Sequence, residues 1–187
     1  MEKNMTEGNS LKQILCFAFP LLLGNLFQQL YNLADSIIVG KTLGIDALAS
    51  VGASGSLNFL ILGFCIGLCS GFAIPVAQTF GAKEYSLMRR YVVNAMALAA
   101  GISIAFAVVT ALFCRQILVL IRTPENILDG AYRYLIIIFI GIPFTVLYNL
   151  SAGILRSLGD SKSPFLFLAI STIINIIGDL VCILVFG

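Results

Sequence analysis

The sequence contains no histidine, and only 11% of its 187 residues are charged. Its five cysteines (Cys16, Cys65, Cys69, Cys114 and Cys182) all fall in or beside apolar runs and do not cluster in loops. Without imidazoles or grouped loop thiols, neither a zinc site nor a disulfide framework is indicated, and the cysteines read as small apolar packing residues. Soluble chains carry roughly a quarter charged residues. The shortage of charge, with 59% hydrophobic residues and a mean hydropathy of +1.02, therefore excludes a soluble surface and defines an all-α integral membrane protein. The net charge of +2 is small and its cations are scattered, so no nucleic-acid partner is implied. Internal repeats and low-complexity segments are also missing.

What is present is a series of apolar runs. A membrane helix needs about 20 mainly apolar residues, and five stretches qualify: 11–39, 54–80, 91–121, 131–155 and 164–186. Residues 1–10 form a short polar amino-terminal segment. The run that follows is too long and too rich in amides for a cleaved signal peptide, so the first span is expected to be retained. With the amino terminus in the cytoplasm, inside segments hold Lys3, Lys12, Lys83, Arg89, Arg90, Arg156 and Lys162, against Lys41, Arg115, Arg122 and Arg133 outside. That bias favours a cytoplasmic amino terminus. Loop signals separate the spans: Gly40 to Gly44 with Asp46, Gly81 to Glu84, Thr123 to Asn126, and Gly159 to Pro164.

The first span is polar for a membrane helix. Between Gly24 and Asp35 it carries Asn25, Gln28, Gln29 and Asn32, a tyrosine hydroxyl at Tyr31, and a terminal carboxylate. At about 100° per residue, Gly24, Gln28, Tyr31 and Asp35 form one stripe, while Leu26, Leu30, Leu33 and Ile37 point away. Of nine acidic residues only Asp35 and Asp179 lie within spans. A carboxylate at membrane depth costs at least a few kcal/mol and usually marks an ion, proton or substrate path. The plainer alternative is that each reaches the interface from its helix end. Asp179 shares a helix face with Asn175 and Thr172, and the fourth span has Thr145 and Asn149 at the same spacing after Gly141-Ile142-Pro143. If spans one, four and five met, these oxygens would suit a hard cation such as Na⁺, or a proton shared by two carboxylates. Gly63, Gly67 and Gly71 form overlapping GxxxG steps that read as helix packing. Pro20, Pro75 and Pro143 read as kinks or hinges, and Arg89-Arg90 as a topogenic anchor.

These residues together resemble the amino-terminal part of a multidrug and toxic compound extrusion (MATE) transporter. The likeness rests on Pro20-Leu-Leu-Leu-Gly-Asn, Asp35-Ser-Ile-Ile-Val-Gly40, Ala47-Leu48-Ala49, Ala77-Gln78, Gly81-Ala82, Arg156-Ser-Leu-Gly-Asp160-Ser-Lys162 and Asn175-Ile-Ile-Gly-Asp179. The resemblance implies five transmembrane helices of an incomplete six-helix amino-terminal bundle, within a twelve-helix antiporter that expels cationic amphipathic drugs in exchange for Na⁺ or H⁺. It implies a cation or proton site at Asp35, Asn149, Asn175 and Asp179, with Gln28 and Tyr31 lining the drug cavity. No cofactor beyond the coupling ion is implied. The partners it implies are small-molecule drugs or toxic cations, the lipid bilayer, and the missing carboxy-terminal half, without which no transport is expected.

Two other functions share parts of this pattern. A flippase for lipid-linked or polysaccharide precursors has a related architecture, but the spans here lack the interior cations that would hold phosphates. An intramembrane aspartyl protease would use its two carboxylates as acid and base. Its Gly-x-Gly-Asp motif is replaced here by Ile176-Ile177-Gly178-Asp179. A non-transporting fragment that only associates with helices of another chain is the third possibility.

Overall fold

The computed structural model describes residues 10–42 and 44–186, and gives the backbone alone at several helical positions that include Tyr31, Asp35 and Asp179. The expected segment at residues 1–10 lies almost entirely outside this range. The described chain forms five helices: α1 (Ser10–Thr42), α2 (Ile45–Gly81), α3 (Tyr85–Leu120), α4 (Glu125–Ser157) and α5 (Lys162–Phe186). Ile14–Ile38 within α1, and the whole of α2, α3 and α4, are long and apolar enough to cross a membrane; the apolar Lys162–Gly178 stretch of α5 is shorter.

Each helix begins before the apolar run that predicts it, because helix formation continues where hydropathy falls. The largest difference is at α2. The expected turn included Asp46 and the expected span began at 54, yet the helix starts at Ile45. Asp46 sits in the first turn, where a carboxylate favours the positive end of the helix dipole, and Ala47-Leu48-Ala49 are strong helix formers. Gly44, immediately before α2, has a φ of 86° that a side chain rarely adopts. Pro124 lies immediately before α4, and its carbonyl accepts a hydrogen bond from Ile127 N at 3.1 Å.

The helices group into two compact units, one containing α1 and α5, the other α2, α3 and α4. In the three-helix unit, α4 is the centre. Its inward positions Ile127, Ala131, Leu135, Phe139, Ile142, Val146 and Leu150 recur every three or four residues and are nearly all fully buried. Large side chains on α4 meet small ones on α3, namely Ala95, Ala99, Ser103, Ala107 and Thr110, so the two backbones approach closely. On α2, Leu57, Ile61, Cys65 and Cys69 complete the core, and Cys65, Cys69 and Cys114 are buried free thiols, as their sequence context predicts.

Two glycines on α4 permit close contact with α2. A Cβ at Gly130 would lie 2.7 Å from Ser50 Oγ, and one at Gly153 would lie 3.4 Å from Ala73 Cβ. Hydroxyls tie the same seam: Ser50 Oγ donates to Ile127 O at 3.3 Å, and Ser157 Oγ to Ala73 O at 3.0 Å. The expected GxxxG packing at Gly63, Gly67 and Gly71 is not found. All three are exposed, and a Cβ at each would meet nothing within 4 Å. Small residues permit close packing only where a partner helix lies opposite, and in this unit those places are the alanine face of α3 and the Gly130 and Gly153 positions of α4.

Candidate cation site and polar face

In the two-helix unit, α1 and α5 meet at Gly24. A Cβ there would lie 3.4 Å from Leu168 Cδ2 and 3.8 Å from Phe165, and the Phe27 and Phe165 rings pack with centroids 5.9 Å apart. Gly24 therefore serves helix contact at the start of the polar stripe. Below it, Phe19, Pro20 and Leu23 face Lys162, Ser163, Phe165 and Leu166 across a shallow apolar groove. Pro20 removes one backbone donor and leaves the Cys16 carbonyl without its helical partner.

The register of this contact organises the polar residues beyond it. Four helix-to-helix reversals separate α1 from α5, so spanning helices run in the same direction. Gln28, Tyr31 and Asp35 lie four, seven and eleven positions after Gly24; Thr172, Asn175 and Asp179 lie four, seven and eleven positions after Leu168. Eleven residues correspond to about 16 Å of rise and three full turns within about 20°. The helix positions of Asp35 and Asp179 thus repeat, three turns on, the faces that meet at Gly24 and Leu168.

Side chains along that face differ in their partners. Thr172 is buried, and its hydroxyl donates to Leu168 O at 2.9 Å. Asn175 Oδ1 is buried and has no hydrogen-bond partner. An unmatched amide oxygen in an apolar setting costs on the order of 1–3 kcal/mol unless a cation or a donor reaches it. Asn149 lies on α4 in the other unit, partly buried, and its amide donates to Thr145 O at 2.8 Å. Thr145 Oγ1 in turn donates to Gly141 O at 3.4 Å, beside Pro143. Asn149 keeps its oxygen available, since its hydrogen bond uses the NH₂ group.

The amides of α1 are open. Asn25, Gln28, Gln29 and Asn32 are all exposed, and Asn32 Nδ2 donates to Gln29 Oε1 at 3.2 Å. This is a neutral, hydrogen-bonding surface on a helix whose other face exposes Leu26, Leu30, Leu33 and Ile37. No group of three His, Cys, Asp or Glu side chains is close enough to hold a metal among the described residues. One polar residue escaped the sequence reading. Asn58 on α2 has a buried, unpartnered Oδ1, and its signal is that it is the one amide in the apolar body of that helix.

Four helices long and apolar enough to cross a membrane make this a helical membrane protein by class. The sequence pattern that defines the MatE family matches residues 20–181, and the chain belongs to that family, whose members are transporters and not enzymes. It is 35% identical over 172 residues to the probable multidrug resistance protein YpnP of Bacillus subtilis (strain 168), covering 92% of this chain and 39% of that one. It is 25% identical over 174 residues to a FAD transporter of Shewanella oneidensis, covering 93% of this chain and 38% of that one. A MOP superfamily transporter from Pyrococcus furiosus superposes with a TM-score of 0.89 at 26% identity, over 96% of this chain and 40% of that structure. The chain thus spans about two fifths of the length of the relatives it matches.

Proposed function

We propose that this chain forms the cation-coupling part of a secondary multidrug efflux antiporter, in which Na⁺ or H⁺ entry drives the exit of a cationic amphipathic drug. The observation that carries the reading is the buried, unpartnered Asn175 Oδ1, one helical turn before Asp179 and level with the α1 positions that lead to Asp35. A dehydrated cation, or a protonated carboxylate acting as donor, would satisfy that oxygen and neutralise the two acids together. Asn149 is the further oxygen ligand in this reading. In this reading Gln28 and Tyr31 line the drug cavity.

The cargo follows from the sign of the charge. The polar stripe of α1 carries amides and one carboxylate and no cation, which suits a positive or neutral amphipath and disfavours a phosphate-bearing one. Ion binding drives export only if it favours one conformation by about 1–3 kcal/mol. In this reading, occupation of Asp35 and Asp179 shifts α1 about Pro20 and changes the polar stripe that holds the drug. Alternating access requires two halves to move against each other. Transport is therefore expected of the chain joined to the helices that complete its relatives, in the plasma membrane of a bacterium with the amino terminus in the cytoplasm.

The test uses the complete transporter in a drug-sensitive strain. Asp35→Asn should abolish resistance and ion-driven efflux while membrane insertion stays normal. Undiminished resistance in that variant would sink the assignment. Asn175→Leu, which removes the unpartnered oxygen, should weaken ion-dependent efflux at least ten-fold, the equivalent of about 1.4 kcal/mol.

A further inference from the structure

The cation site uses none of the basic residues, and these are unevenly placed in the three-helix unit. One end, formed by the start of α2 and the α3–α4 turn, holds Asp46, Arg115, Arg122, Glu125, Asp129 and Arg133, three cations against three acids. Arg115 and Asp129 pair there at 3.6 Å. The opposite end holds Lys83, Glu84, Arg89, Arg90 and Arg156, four cations against one acid, and no ion pair forms there among the described residues.

This positive end is concave and lies at the edge of the hydrocarbon. Lys83, Glu84, Tyr85, Ser86, Leu87 and Arg90 line an open groove at the α2–α3 turn. From Tyr91 to Cys114, α3 has no charged residue, so Arg89 and Arg90 are the last charges before the apolar body of the helix. Tyr85 is half exposed and packs edge-on against Phe80 with centroids 6.2 Å apart; Tyr91 is also exposed. Aromatic residues in such positions sit at the depth of lipid headgroups.

We propose that this groove binds the phosphate headgroup of an anionic phospholipid, with Lys83 and Arg90 as its cationic walls and Arg89 beside them. Guanidinium and ammonium groups match phosphate oxygens in charge and hydrogen bonding. The Glu84 carboxylate, in the same groove, accepts hydrogen bonds and so favours a headgroup that bears hydroxyls, of which phosphatidylglycerol is the simplest. Excess positive charge against hydrocarbon, four cations with only Glu84 to oppose them, draws an anion from the nearest source, the adjoining leaflet.

The experiment places the full chain in nanodiscs of phosphatidylcholine containing a minority of phosphatidylglycerol and counts retained lipids by native mass spectrometry. Each cation removed among Lys83→Gln, Arg89→Gln and Arg90→Gln should lower phosphatidylglycerol affinity roughly five-fold, the equivalent of about 1 kcal/mol. Arg115→Gln, at the balanced end, should leave it unchanged. Both faces of a nanodisc carry the same lipid, so a reversed orientation would not alter the count. Equal retention in the triple variant and the parent overturns the proposal. Displacement of the lipid by excess inorganic phosphate also overturns it and assigns the groove to a soluble anion. Circular dichroism establishes folding; should the triple variant fail to fold, Arg90→Lys must retain binding that Arg90→Gln loses.

Discussion

At Gly130 a single hydrogen atom sets the distance between α2 and α4. A methyl group there would fall 2.7 Å from Ser50 Oγ and 3.3 Å from Ser50 Cβ, and the hydroxyl is held by the carbonyls of Asp46 and Ile127. Gly130→Ala should therefore destabilise the chain by about 1–3 kcal/mol despite alanine's better helix propensity. Ser50→Gly in the same chain should restore most of the loss in a thermal melt; no restoration would mean the clash lies elsewhere. A second local device is Asp160, whose carboxylate accepts hydrogen bonds from the Ser163 hydroxyl and from Lys162 N and Ser163 N at 3.0 Å. Those bonds, the Ser163 hydroxyl first, hold its pKa below the ordinary aspartate value. Because the folded value is depressed, this contribution is complete above the ordinary value and disappears as pH falls through the lower one. Melting temperature should thus drop more steeply below about pH 4 in the parent than in Asp160→Ala, which lacks the cap at every pH.

At the level of the element, the two turns of the three-helix unit close in the same way. Lys83 N donates to Phe80 O and Glu84 N to Thr79 O; Arg122 N donates to Val119 O and Thr123 N to Leu118 O. These are Schellman caps, and the left-handed position that usually takes glycine is filled by Lys83 at φ 61° and Arg122 at φ 57°. A side chain in that region costs about 1–2 kcal/mol, partly offset by a cation's attraction to a helix carboxyl end. Arg122→Gly should accordingly raise thermal stability modestly, and a lower melting temperature would show that the charge outweighs the strain. The glycines of α2 behave differently. Gly67 is exposed and faces open space, so Gly67→Ala should leave the core intact and stabilise α2 by about 0.8–1 kcal/mol. Marked loss of stability on that change would reinstate a packing role for the GxxxG run.

For the whole molecule, the polar groups divide between the two units. The unit of α2, α3 and α4 buries small hydroxyls such as Ser54 and Thr110 that bond to their own helices, beside the unpartnered Asn58 oxygen. The unit of α1 and α5 carries both span-borne aspartates and the orphaned Asn175 oxygen, and α1 leaves its amides exposed. Membrane chains tolerate such exposure where a cavity or a partner takes up the polar surface. The relatives it matches are more than twice as long, which is where that covering surface is sought.

Composition alone determined the membrane class, because 11% charge cannot coat a soluble surface, and apolar run length alone determined five helices. The stripe on α1 and the Thr172, Asn175 and Asp179 face were also legible, since helical periodicity is a local property. Tertiary structure alone decided which faces meet. α4 packs both on the alanine face of α3 and on the Ser50, Cys69 and Ala73 face of α2, leaving Gly63, Gly67 and Gly71 open, and Gly24 turns out to seat Leu168 and Phe165. Such choices depend on the volumes of side chains distant in sequence, which no local pattern encodes. The helix ends likewise departed from hydropathy because caps and dipoles, not apolarity, set where a helix stops. Asn58 and Asn175 were visible as amides in apolar helices; that each holds a buried oxygen without a partner is a fact of packing.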